Sequence, residues 1–220
     1  MRIALHLASA AVLLSAPAMF AGVIQSPVAA TIDAGGPGFG SINNTFDQSG
    51  LSAGFTSGVT DFDAYMALNP THTVAFPGFE WFSNSGTVAA TVTYDVGSIV
   101  TIARLALWNE ESSGIGLLDL RSSTDGVTFS PLALGLTPTD HALINYPADI
   151  FAFGPVSARY IRFEMSRCPQ PNAASFPGCA IGEVAFDVVG GQVVPEPSTF
   201  ALLGAGLLAT FLTARRRVGR

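Results

Sequence analysis

Residues 87–108 constrain the fold of this chain more than any other stretch. Residues 87–96 are rich in β-branched side chains and alternate in character; Gly97 and Ser98 interrupt, and residues 99–108 resume the pattern up to Trp108. A period of two sends successive side chains to opposite faces of a strand. Leu105 and Leu107 therefore share one face, and Arg104, Ala106 and Trp108 the other. Similar runs occur at 117–122, 127–132, 158–165 and 181–189, with Ser123, Thr124, Asp125 and Gly126 forming a turn between the first two. In 158–165, Tyr160, Arg162 and Glu164 oppose Ile161, Phe163 and Met165. No long stretch carries a helical period. Short strands with turns about every ten residues predict an all-β fold, a sandwich or jelly roll.

Both ends of the chain differ from this body. Met1 and Arg2 precede a mostly apolar run over 3–14, and Ala16, Pro17, Ala18 and Ala21 supply small residues. This layout predicts a secretory signal peptide over 1–21, cut after Ala18 or Ala21; a retained N-terminal anchor is the alternative. At the other end, Pro195, Glu196 and Pro197 precede the uncharged stretch 198–214, and Arg215, Arg216 and Arg217 follow. A helix over 198–214 spans roughly 25 Å against a bilayer core of about 30 Å. Arginines can snorkel across the difference and hold to the cytoplasmic side. The expected organisation is a signal helix at 1–21, an N-terminal extension or first strand at 22–49, a β-sandwich at 50–190 and a linker at 191–197. A single transmembrane helix at 198–214 and a basic cytoplasmic tail at 215–220 complete it. On physics alone, this tail is a plain anchor or a sorting device.

The order Val194-Pro195-Glu196-Pro197-Ser198-Thr199, then a short Leu/Ala/Gly segment, then Arg215-Arg216-Arg217, resembles the PEP-CTERM sorting signal of Gram-negative bacteria. The resemblance implies passage through the secretion machinery and transient anchoring in the inner membrane. It also implies tail removal by an exosortase, a membrane cysteine transpeptidase, and delivery to the cell surface or an extracellular polysaccharide matrix.

Charge narrows the partners. The chain has no lysine, and between the two ends only Arg104, Arg121, Arg159, Arg162 and Arg167 oppose all but one of its 16 acids. The body is thus net about −10, which excludes nucleic acid and repels anionic polysaccharide unless a cation bridges. Cys168 and Cys179 are the only cysteines. In an exported chain such a pair forms a disulfide, and two cysteines alone do not build a structural zinc site.

A second resemblance lies in the body. Ser157-Ala158-Arg159-Tyr160-Ile161-Arg162-Phe163 followed by Ile181-Gly182-Glu183-Val184-Ala185-Phe186 is similar to the end of an F5/8 type C (discoidin) domain. Val92-Thr93-Tyr94-Asp95-Val96-Gly97, Leu105-Ala106-Leu107-Trp108-Asn109, and the hairpin from Ser122 to Phe129 fit its upstream strands, and Glu80-Trp81-Phe82-Ser83 falls where that family often has a tryptophan. This implies a galactose-binding-like jelly-roll β-sandwich over about residues 50–189, in a family whose usual role is to bind glycans, lipid or protein. The family's calcium-loop segment is not clean here. Asp61 and Asp63 are the nearest carboxylates, so calcium stays open, with turn formation as the other reading of the pair.

The H-E-x-x-H pattern of zinc hydrolases does not occur. Glu110 and Glu111 are adjacent and point apart, unlike paired glycosidase carboxylates, and are expected in a solvated loop. The glycine-rich run Gly35 to Gly40 reads as a flexible loop. The candidate ligand contacts are Phe79, Trp81 and Phe82 in one expected loop and Trp108, Asn109 and Glu110 leaving a strand end. The alternative is that the two tryptophans plug the rim of the core. The expected protein is an exported, non-enzymatic surface or matrix protein whose module binds glycan or exopolysaccharide, without a required cofactor. A structural or adhesive matrix protein without a specific ligand is the second reading, a hydrolase the third.

Overall fold

The computed structural model describes residues 22–75, 78–172 and 175–190. The expected signal peptide, linker, transmembrane helix and basic tail lie outside these residues. Among the described residues no helix is long and apolar enough to cross a membrane.

In chain order the elements are β1 (Val23–Gln25), β2 (Ala29–Ala34), a 3₁₀ turn (Ile42–Thr45), α1 (Phe62–Met66), β3 (Thr71–His72), β4 (Trp81–Phe82) and β5 (Ala89–Trp108). Then follow β6 (Leu117–Ser123), β7 (Ser130–Leu136), β8 (Tyr146–Pro147), β9 (Asp149–Ser166), β10 (Ala180–Ile181) and β11 (Glu183–Val188). Strands β5 and β9 form a long antiparallel ribbon that serves two layers. The first half of β5 lies between β2 and the second half of β9, beyond which come β6 and β7. Its second half lies between the first half of β9 and β11, with β1 outside. The layers face each other across one core: Tyr94 meets Phe163 at 5.0 Å and, from the opposite layer, Phe186 at 6.5 Å between ring centroids. The protein is an all-β sandwich.

The expected break at Gly97 and Ser98 does not end the strand. Gly97 takes a positive φ of 89° and the register with β9 shifts between Asp95 and Val100, so one strand turns the corner from layer to layer. Before the corner Ala90, Val92, Tyr94 and Val96 fill the core. A second register shift, between Ile102 and Arg104, resets the parity, and Leu105 and Leu107 then point inward. Strand β9 starts nine residues before the expected run at 158–165, because Gly154 and Pro155 mask it; proline is tolerated where this half of β9 pairs only with β5. Strand β7 starts later than expected, since the Asp125 carboxylate accepts the Val127 and Thr128 N–H groups (both 2.9 Å) and prolongs the turn.

Ala106 and Trp108 face away from the main core, and that face is covered in turn. A second cluster joins them to Ile24, Phe62, Tyr65, Tyr146 and Ala185. Helix α1 exists to make this cover. Asp61 caps it by accepting the Ala64 N–H at 2.7 Å, and Phe62 and Tyr65, three apart, share its buried side. Five residues are too few for a readable helical period.

Cys168 and Cys179 are bonded to each other. The loop they close also donates the Cys168 N–H to Val88 O (3.2 Å) and the Cys179 N–H to the Ser83 hydroxyl (2.8 Å). Replacing both cysteines with serine is expected to lower stability by about 2–3 kcal/mol. Denaturant titration of the variant measures this directly, and an unchanged midpoint would mean that the hydrogen bonds alone secure the loop.

Candidate functional site

An apolar cleft is built on β4. Phe39 pairs with Phe82 through both backbone hydrogen bonds, 2.8 Å each. Gly38 and Gly40 flank Phe39 at positive φ, and a Cβ on either would collide with the carbonyl of Phe82 or Glu80. The glycine-rich run is therefore not a free loop; its glycines let it lie flat against β4. Strand β10 pairs with β4, and the disulfide loop leading into it brings up Phe176. The Phe176 ring meets Phe82 at 5.4 Å (70° interplanar) and Phe39 at 6.1 Å (72°). Its carbonyl accepts the Ser113 hydroxyl at 2.6 Å. These rings wall a cleft of about 490 Å³, completed by Gly40, Ala75 and Gly78; its polar side chains are Glu80 and Ser112. Phe39 is 69 % exposed and forms its outer lip.

The residues expected to contact a ligand separate into two groups. Phe82 lines the cleft, and Phe79, half-buried, lies next to Glu80 on the same segment. Trp81 alternates with Phe82 on β4 and so enters the core, 0 % exposed, its indole N–H donating to Pro37 O at 2.9 Å. Trp108 is 0 % exposed under the second cluster and donates to Pro70 O at 3.0 Å. Asn109 is buried as a knot between loops. Its oxygen accepts the Ile115 N–H, and its amide donates to Thr139 O and Gln170 Oε1. Glu110 is buried as well. Strand parity and satisfied polar groups thus leave Trp81, Trp108, Asn109 and Glu110 no surface for a ligand. Phe39 and Phe176 join the cleft instead. The signal for them was an aromatic residue flanked by turn formers, Gly38-Phe39-Gly40 and Ser175-Phe176-Pro177.

Asp61 Oδ1 caps α1, and Asp63 Oδ1 accepts from Arg104 at 2.6 Å. Among the described residues no group of three or more His, Cys, Asp or Glu side chains could hold a metal ion.

Behind the cleft lies a buried polar layer. Glu110 and Glu111 are not in a solvated loop: both are buried. Glu110 accepts the Ser112 N–H (2.9 Å) and hydroxyl (2.7 Å), and Glu111 accepts the Ala75 N–H (2.7 Å). The acid pair therefore ties together two wall residues, Ser112 and Ala75. Burial first, and the neighbouring Glu111 charge second, push the Glu110 carboxyl up to about 8. His72 lies 3.0 Å from the Tyr146 hydroxyl, and burial lowers its pKa. With that ring neutral, the 3.7 Å approach of Glu80 is a polar contact and not an ion pair. The layer is structural in form. The cleft itself offers aromatic and apolar surface with few polar side chains among the described residues.

Residues 193–217 match the family described as the PEP-CTERM protein-sorting motif, so the tail carries that motif. No curated protein sequence matches the chain. Among solved structures the chain is similar to chitosan-binding module 1 derived from a chitosanase/glucanase of Paenibacillus sp. IK-5 (20% identity, 74% of this chain and 94% of that one, TM-score 0.46). It is also similar to a CBM32 module from Clostridium perfringens in complex with GalNAc-β-1,3-galactose (13%, 74% and 94%, 0.48). A pectin-binding carbohydrate-binding module is similar as well (16%, 79% and 96%, 0.45).

Proposed function

We propose that this is an exported, non-catalytic module that holds a neutral glycan of the cell surface or extracellular matrix in the phenylalanine cleft. The observation that carries the reading is the set of three rings, Phe39, Phe82 and Phe176, fixed around one cleft by backbone pairing and a disulfide-closed loop. Aromatic faces take the C–H face of a sugar ring, and a preset geometry spares the entropy of ordering loops on binding. Among the described residues no cationic side chain lines the cleft, and the body is acidic, which disfavours an anionic ligand.

Delivery belongs to the same proposal. A signal peptide at 1–21 starts export, the helix at 198–214 holds the chain in the inner membrane, and an exosortase acting at Pro195-Glu196-Pro197 releases it. The fold suits this route. β1 pairs with β11 (Val23 opposite Val188), so both ends of the described body leave side by side. The cleft lies by β4 and β10, before the first residue of β11, and β11 is about 17 Å long at its strand rise. The cleft is thus held away from the point where the tail begins.

Phe39→Ala tests the reading, because so exposed a ring can be removed without unfolding the protein. Binding to the host's own neutral matrix polysaccharide, measured by affinity electrophoresis, is expected to weaken about tenfold or more, equivalent to about 1.4 kcal/mol, with the melting temperature unchanged. Undiminished retention would sink the proposal. Failure of the native protein to bind any polysaccharide would favour a structural matrix role.

A further inference from the structure

Resting on that glycan-binding reading, the geometry points to the class of sugar the cleft takes: an uncharged sugar bearing an apolar substituent, an N-acetyl, O-acetyl or 6-deoxy methyl group. A pyranose presents one C–H face and a rim of hydroxyls. A flat aromatic platform with polar neighbours satisfies both, but this cleft is built differently. Phe176 stands at 70° to Phe82 and 72° to Phe39, so the rings form walls that meet at steep angles, and a sugar stacked on one ring drives its substituents into the others. Gly40, Ala75 and Gly78 add no side-chain donor or acceptor.

The two polar side chains do little to change this. Ser112 is 4 % exposed and its hydroxyl already donates to Glu110; Glu80 is 1 % exposed. A sugar hydroxyl moved into such a site loses its water hydrogen bonds with few side-chain partners to replace them, whereas a methyl group gains by leaving water. A uronate meets no cationic side chain among the described residues of the cleft and faces an acidic body. A protonated amine fares no better, because Glu80, the carboxylate that lines the cleft, is too buried to replace its hydration shell. Acetylation of that amine removes the charge and supplies the methyl. The volume, about 490 Å³, lies within the range of small-molecule sites.

Matched pairs of sugars test this on the full-length exported protein by isothermal titration calorimetry. The pairs are tri-N-acetylglucosamine against its deacetylated trimer and against cellotriose, and methyl rhamnoside against methyl mannoside of the same hand. Neutral detergent micelles probe the competing idea of a lipid or acyl-chain site. The methyl-bearing member of each pair is expected to bind at least about tenfold more tightly, and Phe39→Ala and Phe82→Ala to shrink that ratio to under about threefold. If Phe82→Ala does not fold, Phe39→Ala, exposed in the native protein, carries the comparison. Equal or tighter binding of the hydroxylated or amine-bearing members overturns this inference and leaves the glycan reading standing. Binding of micelles with no sugar bound, or no binding at all, overturns both.

Discussion

Trp108→Ala is expected to destabilise the protein by about 3–5 kcal/mol, while protein that stays folded keeps its affinity for the glycan. The side chain is fully buried between Ala106, Ala185, Phe62 and Tyr146, on the layer face that α1 and β8 cover. Truncation removes an indole from a packed cluster and also leaves Pro70 O without its 3.0 Å donor. The cluster pins α1 to β5 and β11, so the loss should appear as earlier melting and as faster hydrogen exchange in α1. Chemical denaturation at neutral pH, paired with a binding isotherm under native conditions, separates the two roles of the residue. A variant with an unchanged midpoint and lost binding would return Trp108 to the surface role that its place in the sequence suggests.

That contrast shows how much could be read from the chain. Alternation in residues 89–96 and 158–165 specified which side chains face the core, because a period of two has a structural meaning wherever one face is buried. The sharing of faces by Leu105 with Leu107 and by Ala106 with Trp108 was legible for the same reason. What alternation does not reveal is whether the second face is covered. A five-residue helix and the two-residue strands β3 and β8 supply that cover, and they are too short to leave a periodic signal. Trp108 could therefore be read either as a ligand contact or as a plug of the core.

The cleft was hidden differently. Phe39, Phe82 and Phe176 are far apart in sequence and meet through the pairing of Phe39 with Phe82 and through a loop closed by the disulfide. The glycines beside Phe39 resemble those of a flexible loop. In the fold they are glycines because backbone lies where a Cβ would be. The burial of Glu110 and Glu111 was the least legible feature, since two adjacent acids after a strand normally face water.

The same acid pair sets the second large expectation, that stability falls as the pH rises from 7 to 9 and that Glu110→Gln removes the part of the fall that Glu110 contributes. The Glu110 carboxyl goes from an ordinary 4.5 to about 8 on folding, driven by burial and then by Glu111. A raised carboxyl means that the folded state holds the proton more tightly than the unfolded chain. Its stabilising contribution is therefore complete below the unfolded value and is lost as the pH climbs through about 8. Each unit of difference is worth about 1.4 kcal/mol, so the whole loss between the unfolded value and about 8 reaches several kcal/mol, of which roughly 1.4 kcal/mol falls above pH 7.

Glu183, also raised by burial, acts in the same direction, and its carboxylate accepts the Gln48 N–H at 2.9 Å. His72 and His141 are lowered by burial and act in the opposite one, removing stability as the pH falls below about 6.5. Denaturation midpoints between pH 7 and 9 thus isolate the carboxyls from the histidines. Glutamine keeps an acceptor for the Ser112 N–H and offers a permanent amide donor toward Glu111, standing in for the protonated acid. At pH 9 the variant should be more stable than the native protein by on the order of 2 kcal/mol or more. Because the pair ties Ser112 and Ala75 together behind the cleft, glycan affinity of the native protein should decline over the same interval and that of the variant should not. Coincident pH profiles for the two proteins would show that Glu110 does not hold the proton, and a decline in affinity that persists in the variant would place its origin in another group of the cleft.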